Sequence, residues 1–244
     1  MRQIPRLFVE TTLARGLLLP LSPAQTHQLA TVLRLGPGAE LRLLDDRTGE
    51  WAGRIETAGR RAVTVRIGAM IRGRETVPDL WLLAAPIRPE RYALVAEKAT
   101  ELGVCRLVPV LTERTQHHRQ SLARLRAHMI EAAEQCGRTA LPELAPPAPL
   151  AAVLAAWDPS RRLLFADEAG GAPMKEVAGS PPAAILIGPE GGLAPAERAA
   201  LAAHPAARRL SLGPRILRAD TAAVAAIAQW QMAAAPAGAA PASG

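Results

Sequence analysis

The 244-residue chain contains only two cysteines, at positions 105 and 136, and it has no long uninterrupted apolar run. Two cysteines are too few for a disulfide framework, which indicates a reducing compartment. The apolar segments are all shorter than the roughly 20 residues that cross a bilayer. Arg2 and Arg6 flank a short N-terminal segment without the apolar stretch of a secretory signal. These absences predict a soluble, cytoplasmic protein with no membrane partner.

Aromatic residues make up only 3% of the chain, and lysine occurs only at positions 98 and 175. Because hydrophobic residues still reach 49%, the core must be packed with alanine, leucine, valine and isoleucine. All other basic residues are arginines, and the net charge is +7. Arginine binds phosphate through a planar two-donor fork, so this charge suits a polyanionic partner. A GC-rich genome would also favour arginine over lysine, but it would not produce the excess of positive charge.

The five histidines do not predict a metal site. His117 and His118 are adjacent in a predicted loop, and no cysteine, aspartate or further histidine stands at helical spacing from them. Metal sites in proteins place their ligands at characteristic short spacings. We therefore expect no resident metal ion.

The first 70 residues have the pattern of a small β-rich module. Residues 41–44, 51–55 and 63–67 alternate or run apolar, and turn signals separate them. A short helix or turn is predicted from His27 to Leu35. Residues 68–79, rich in glycine, arginine and proline, are typical of a linker. The sequence therefore predicts a barrel-like first domain over residues 1–72.

From about residue 80 the pattern changes to alternating strands and helices, which predicts an α/β domain with a parallel sheet over residues 73–236. Five strands are expected, at 80–85, 104–111, 163–166, 185–187 and 210–212. Three long helices are expected, at 90–102, from Ser121 to Gly137, and at 221–234. The tail, residues 237–244, is rich in alanine, proline and glycine and is predicted to be disordered.

Two glycine-proline loops follow two of these strands near the C-terminus. Residues 188–192 read Gly-Pro-Glu-Gly-Gly, and residues 213–215 read Gly-Pro-Arg. They have neither the P-loop pattern nor the dinucleotide-binding glycine spacing. A single loop of this kind is equally well explained as a tight turn between strand and helix. Two of them at the carboxyl edge of a parallel sheet favour a ligand pocket built largely from backbone.

These loops carry a resemblance to a known family. Residues 188–192, followed by 212–218 (Leu-Gly-Pro-Arg-Ile-Leu-Arg), resemble the RsmE family of the SPOUT superfamily. Its members are bacterial methyltransferases that act on uridine N3 in small-subunit (16S) ribosomal RNA. Further matches are residues 97–104, residues 131–138, His27, residues 32–35 and Gly38.

The resemblance implies a SPOUT-type parallel sheet with a C-terminal trefoil knot, preceded by a PUA-like RNA-binding β-barrel domain. It implies S-adenosyl-L-methionine as the methyl donor. The adenine would be held by backbone near Leu212, Gly213 and Leu217. Gly188 would approach the ribose or methionine portion, and Gly192, in the same loop, is a further candidate for contact with the donor. Glu190 is a candidate partner for the sulfonium or the ribose; alternatively, its charge favours the start of the following helix.

Arg218 and Asp220 are the predicted catalytic pair. Methylation of uridine N3 requires loss of an imide proton. A guanidinium could stabilise the negative charge on the flanking carbonyl oxygens, and a carboxylate could accept the proton or orient the base. Alternatively, Asp220 caps the last helix and Arg218 holds a phosphate of the target. The family more often has glutamate at position 220.

The predicted partner is small-subunit ribosomal RNA, within an assembled or nearly assembled subunit. The candidate RNA contacts are arginines that would bind phosphates, namely Arg2, Arg6, Arg34, Arg119 and Arg138. SPOUT relatives form two-fold dimers, and the last helix offers an apolar face with Val224, Ile227 and Trp230. A helix buried within its own chain is the competing interpretation.

Two other functions fit the same residues. One is a SPOUT enzyme that methylates another base of ribosomal or transfer RNA, or a ribose 2′-hydroxyl. The other is a non-catalytic RNA-binding factor in ribosome assembly.

Overall fold

A computed structural model describes residues 4–59, 62–117 and 119–234 of the chain. The chain divides into two compact units. The first comprises Met1–Thr76 together with Ile130–Leu141, and the second comprises Val77–Met129 together with Pro142–Gly244. The tail that the sequence predicts to be disordered lies outside the described residues.

The first unit is built on five strands, β1 (Arg6–Phe8), β2 (Leu18–Pro20), β3 (Glu40–Asp45), β4 (Gly49–Ala58) and β5 (Val63–Gly73). They form one sheet in the order β1-β3-β4-β5-β2. β1 pairs with β3 in parallel, and the other neighbours are antiparallel. Helix α1 (Pro23–His27) begins after Ser22, whose hydroxyl accepts a hydrogen bond from Gln25 N, and a π-helical turn over Gln28–Val32 follows it.

The core of this unit follows from the period-two pattern of its strands. In β4, Trp51 and Ile55 face the core, and in β5 Val63, Val65 and Ile67 do so. Gly53 lies between Trp51 and Ile55 on the same side of β4. A Cβ at this glycine would lie 2.8 Å from the Leu43 side chain and 2.9 Å from that of Val65. The missing side chain therefore lets β3 and β5 pack their own side chains into this part of the core.

One buried carboxylate organises the arginines of the first unit. The Glu50 side chain is 1% exposed and accepts hydrogen bonds from Arg6 Nε at 3.0 Å and from Arg72 Nε at 2.6 Å. Arg42 Nη1 lies 3.4 Å from the same carboxylate. Burial raises the pKa of Glu50, but the hydrogen bonds and charges of Arg72 and Arg6 outweigh burial and hold it below its ordinary value of 4.5.

Residues 130–141 contact the rest of the first unit through hydrogen bonds of their own. The Glu134 carboxylate accepts a hydrogen bond from Phe8 N at 2.7 Å. Arg72 Nη2 donates to the Gly137 carbonyl, and Glu75 N donates to Thr139 Oγ1 at 2.8 Å. This compact unit is therefore assembled from two separate stretches of the chain.

The second unit contains a parallel sheet. Its strands are β6 (Leu80–Ala84), β7 (Arg106–Leu111), β8 (Glu143–Leu144), β9 (Ala148–Pro149), β10 (Arg162–Ala166), β11 (Ala172–Pro173), β12 (Ala183–Ile187) and β13 (Ala207–Ser211). They are ordered β11-β13-β10-β12-β6-β7-β8, and β9 pairs with β7. Every pairing in this unit is parallel. The α/β fold with a parallel sheet predicted from the sequence is confirmed.

Helices connect these strands, and the last part of one of them, from Ile130 onward, belongs to the first unit. All five residues of β12 are buried, as is typical of a strand with both faces covered. Within the described residues, no helix is long and apolar enough to cross a bilayer. The helix bounds are α2 (Pro89–Glu101), α3 (Leu122–Cys136), α4 (Leu150–Ala155), α5 (Met174–Val177), α6 (Pro195–Ala203) and α7 (Ala219–Ala234).

Helix α7 departs from the sequence prediction in two respects. It begins at Ala219 instead of residue 221, so Asp220 lies inside its first turn. Ile227 and Trp230, which were expected on a dimer face, are each 1% exposed. These two residues pack within their own unit, so the competing interpretation of a helix buried in its own chain is correct for them. Because α7 is apolar on nearly every side, the sequence pattern does not single out the face that the core takes.

Replacing Glu50 with glutamine should lower the free energy of unfolding at pH 7 by about 1.5 to 3 kcal/mol, because Arg6, Arg42 and Arg72 lose the charge of the buried carboxylate that they share. Since the folded-state pKa of Glu50 is lowered, its contribution is present above pH 4.5 and is lost as pH falls through the folded-state pKa. The difference in urea stability between wild type and Glu50→Gln should therefore be full at pH 7 and should narrow as the pH is lowered below 4.5. The matched control is Glu56→Gln, because Glu56 pairs with Arg66 on the exposed surface of the same sheet. A gap between wild type and Glu50→Gln that widened as the pH fell below 4.5 would contradict this account.

Candidate active site

A cavity of about 350 Å³ lies at the carboxyl ends of three strands of the second unit. These strands are β10, β12 and β13, and β10 pairs with both of the others. Parallel neighbours end at the same edge of a sheet, so the three segments that follow them meet there. The segments lining the cavity are residues 167–170, 188–193 and 212–219.

The first glycine-proline loop forms one wall of the cavity. Gly192 N donates to the Pro189 carbonyl at 2.9 Å, which closes a tight turn, and Gly192 has φ of +67°. Arg114 Nη1 donates to the Gly191 carbonyl at 2.9 Å and holds the turn from outside. The loop therefore presents backbone to the cavity in a conformation that requires glycine at position 192.

Helix α6 begins directly after this loop. Its first residue is Pro195, and the Glu197 carboxylate accepts a hydrogen bond from Ala194 N at 2.9 Å. Glu197 therefore supplies the negative charge at this helix start. Glu190, for which that role was the alternative interpretation, is exposed and lines the cavity five residues before the helix begins.

The second glycine-proline loop forms the opposite wall. Gly213 has φ of +119°, and a Cβ built on it would meet no atom within 4 Å. Open space therefore lies beside this backbone. The structure brings together all of the residues predicted to bind the cofactor, and each lines the one cavity: Gly188, Glu190, Gly192, Leu212, Gly213 and Leu217.

The two predicted catalytic residues have different surroundings. Arg218 is exposed and lines the cavity. Asp220 is 6% exposed and is not part of the cavity lining. One of its carboxylate oxygens lies 2.6 Å from Arg91 Nη1, and the other accepts a hydrogen bond from Thr221 N at 2.9 Å. Because Ala222 N donates to the Arg218 carbonyl, the residue that precedes the helix is Arg218, and Asp220 lies within the first turn, not at the capping position of the alternative interpretation.

The third wall was missed by the sequence analysis. Asp167 and Glu168 follow β10 and line the cavity together with Arg198 of α6. Two acidic residues directly after a predicted strand were the available signal, and it is the same positional signal that identified the glycine loops. Arg198 stands 30 residues further along the chain, so the sequence could not pair it with Glu168.

The arginines predicted to contact RNA differ in exposure. Arg6 is engaged by Glu50, and Arg138 is 5% exposed. Arg34 is exposed with φ of +54° in the first unit, and Arg119 is exposed in the second. Arg2 lies outside the described residues. The role of these five residues in RNA binding stays a prediction.

Comparison with known families gives two matches along the chain. The family model of an RNA methyltransferase domain matches residues 74–231, and that of an RNA methyltransferase PUA domain matches residues 21–68. Ribosomal RNA small subunit methyltransferase E of Rickettsia conorii is 30% identical over 237 residues, which cover 93% of this chain and 95% of that protein. The protein of the same name from Synechocystis is 32% identical over 219 residues, covering 86% of this chain and 71% of that protein.

Solved structures share the fold over most of the chain. A Legionella pneumophila structure, described as a methyltransferase in complex with bound SAM, has a TM-score of 0.88 at 31% identity and covers 95% of this chain and 98% of its own. Ribosomal RNA small subunit methyltransferase E from Neisseria gonorrhoeae, bound to S-adenosyl methionine, has a TM-score of 0.86 at 24% identity, with coverage of 95% and 98%.

The parallel sheet, the paired glycine loops and these matches define an RNA methyltransferase with a PUA domain. Within that class, the chain belongs to the RsmE family, the ribosomal RNA small subunit methyltransferase E proteins.

Proposed function

We propose that this protein transfers a methyl group from S-adenosyl-L-methionine to N3 of a uridine in small-subunit (16S) ribosomal RNA. The observation that carries the proposal is the cavity between the two glycine-proline loops, with Arg218 at its edge. Membership of the family, and a relative that is 31% identical and was solved with bound SAM, support the donor.

The residues of the cavity fit such a donor. Its volume of about 350 Å³ lies within the usual range of small-molecule sites, roughly 300 to 1,000 Å³. The open space beside Gly213 and the glycine backbone of residues 188–192 allow a flat ring and a ribose to lie against main chain. We propose that Leu212, Gly213 and Leu217 hold the adenine of the donor. Gly188, Glu190 and Gly192 would then lie against its ribose and methionine portions. The donor, when bound, supplies an electrophilic methyl group on its sulfonium.

Arg218 is proposed to act on the target base. Loss of the N3 proton leaves negative charge shared between N3 and the two flanking carbonyl oxygens of the uracil ring. A guanidinium within hydrogen-bond reach of one of these oxygens would stabilise the anion as it forms and its proton passes to solvent. N3 would then gain the methyl group as the sulfonium–methyl bond of the donor breaks, and the rest of the donor would leave as the neutral thioether S-adenosylhomocysteine. The exposed position of Arg218 at the edge of the cavity leaves it accessible to an RNA base.

Asp220 is proposed to hold the guanidinium of Arg91 in a fixed position at the start of the helix that carries Asp220. Its carboxylate is buried at 6% exposure and is engaged by Arg91 and by Thr221 N, which leaves little room for a base to approach it. Arg91 remains 39% exposed, so the pair presents a fixed guanidinium at the start of α7. The alternative, in which Asp220 accepts the N3 proton, has a different pH signature, described below.

We propose that a domain over residues 1–72 binds the RNA and that a domain over residues 73–236 carries out the chemistry. The PUA match over residues 21–68 and the net charge of +7 support this division. Exposed arginines such as Arg34 and Arg119 would then contact phosphates. We propose the assembled or nearly assembled small subunit as the substrate and the cytoplasm as the site of action.

A trefoil knot in the second unit and a two-fold dimer are also proposed. The knot follows from the likeness to the family, and an experimental tracing of the chain through residues 180–234 would test it.

The dimer is supported by the outward side of α7, where Met232 is 84% exposed and Val224 is half-buried on an alanine-rich helix. Small residues allow two such helices to approach closely.

Small subunits that lack the modification should accept labelled methyl groups from the donor in the presence of this protein. Digestion to nucleosides should place the label in N3-methyluridine. Label in a 2′-O-methylated nucleoside or in another base would contradict the target atom. Absence of both donor binding and transfer would leave only an RNA-binding role.

Arg218→Ala should reduce the single-turnover rate by a factor of about 10² to 10³, as for the loss of one hydrogen-bond donor to a developing anion. The affinity for the methyl donor should change little.

If Asp220 positions Arg91, Asp220→Asn and Arg91→Ala should lower the rate by similar factors, and the loss should be constant with pH. If Asp220 is instead the base, Asp220→Asn should regain activity as pH rises and uridine ionises unaided. The matched control is Glu101→Gln, which removes an exposed ion pair with Lys98 on α2.

Sedimentation of the wild-type protein at micromolar concentration should give twice the mass of the chain. Met232→Asp should shift the protein to the monomer, because it places a charge in the proposed helix contact. Met70→Asp is the matched control, since Met70 is an exposed methionine of the first unit. A wild-type monomer that methylates subunits at the normal rate would exclude an obligate dimer.

A further inference from the structure

The third wall of the cavity carries a pair of opposite charges that neither glycine loop supplies. Arg198 Nη2 lies 2.5 Å from Glu168 Oε1, and both residues line the cavity. The pair lies against the first loop, because a Cβ at Gly192 would be 3.2 Å from Glu168 Oε1 and 3.6 Å from Arg198 Nη2. The two charges therefore stand beside a backbone that we assign to the donor.

Arg198 is held from behind by a buried carboxylate. The Asp167 side chain is 1% exposed, and its Oδ1 lies 3.5 Å from Arg198 Nη2. Asp167 Oδ2 is buried, lies 3.3 Å from Arg209 Nε, and accepts no hydrogen bond from the described residues. Asp167 Oδ1 is also fixed by Ala169 N at 3.0 Å. Arg198 thus keeps its place even when Glu168, which is 48% exposed, turns toward a ligand.

The pair itself contributes little to stability, because a half-exposed ion pair is screened by solvent. Its geometry instead suits a ligand group that carries an ammonium and a carboxylate on the same carbon atom. Such a group can place its ammonium on Glu168 and its carboxylate on Arg198, so that each charge keeps an opposite partner when the protein's own pair opens. A guanidinium also binds a carboxylate through two parallel hydrogen bonds.

We propose that Glu168 and Arg198 bind the α-amino-acid end of the methyl donor, with Asp167 as the residue that positions Arg198. This proposal rests on the proposed function, since it assigns one end of the same donor. It places the nucleoside at the glycine loops and the methionine portion at the wall formed by β10 and α6.

Calorimetry with two probes separates the ends of the donor. S-adenosylhomocysteine carries the α-amino-acid group, and 5′-methylthioadenosine lacks it. Glu168→Gln and Arg198→Gln should each weaken S-adenosylhomocysteine about tenfold, since charge-assisted hydrogen bonds are lost. Both variants should bind 5′-methylthioadenosine within about twofold of wild type, which shows that the nucleoside end is intact. Glu56→Gln, which removes an exposed ion pair of the first unit, is the matched control.

Equal weakening of both probes would overturn the assignment, because it would indicate a general distortion of the cavity. Unchanged affinity for S-adenosylhomocysteine in both variants would overturn it as well. Because each variant is tested with both probes, a folding defect in one variant does not prevent the other from deciding. Wild-type protein that binds neither probe would instead contradict the donor pocket of the proposed function.

Discussion

Parallel pairing of β13, β10 and β12 is the constraint on which the site depends. The register aligns Ala166 with Leu210, and Phe165 with Leu186, so the three strands end together. Three segments far apart in the chain are thereby brought to one edge without any side chain having to recognise another. The loops can then be short and rich in glycine, because the sheet has already determined where they start. The cavity follows from hydrogen bonding between strands.

The same sheet separates two kinds of charge in the second unit. At the carboxyl edge, Glu168, Arg198 and Arg218 line an open cavity and keep part of their surface exposed. At the other end of the strands, charged side chains pair with each other and stabilise the fold. Arg161 forms two hydrogen bonds to the Asp79 carboxylate, at 2.7 and 2.8 Å, and its guanidinium lies 3.8 Å from the ring centre of Trp81. Burial raises the pKa of the neighbouring Cys105 thiol to about 11, so this thiol is protonated at neutral pH.

Features could be predicted from the sequence where the residues that form them are close together along the chain. The glycine-proline loops were found because an apolar run and the glycines that follow it are adjacent in sequence. The strands of the parallel sheet were found for the same reason. Glu168 was missed because its partner, Arg198, is close only in space. The pairing of Arg6 with Glu50 could not be predicted, because the two residues are 44 positions apart in sequence. The buried side of α7 could not be chosen because alanine on all sides gives no preferred face.

The contribution of Ile130–Leu141 to the first unit has a consequence for how this protein can be divided. A fragment ending at residue 72 would lack the Gly137 carbonyl that receives Arg72 and the Glu134 carboxylate that receives Phe8 N. Recombination at a single point in the gene would therefore exchange an incomplete unit between relatives. The two units can be inherited together or altered residue by residue, but they do not behave as modules joined by one linker. A chimaera that keeps the first unit intact needs two crossovers, one on each side of the helix that supplies the second stretch.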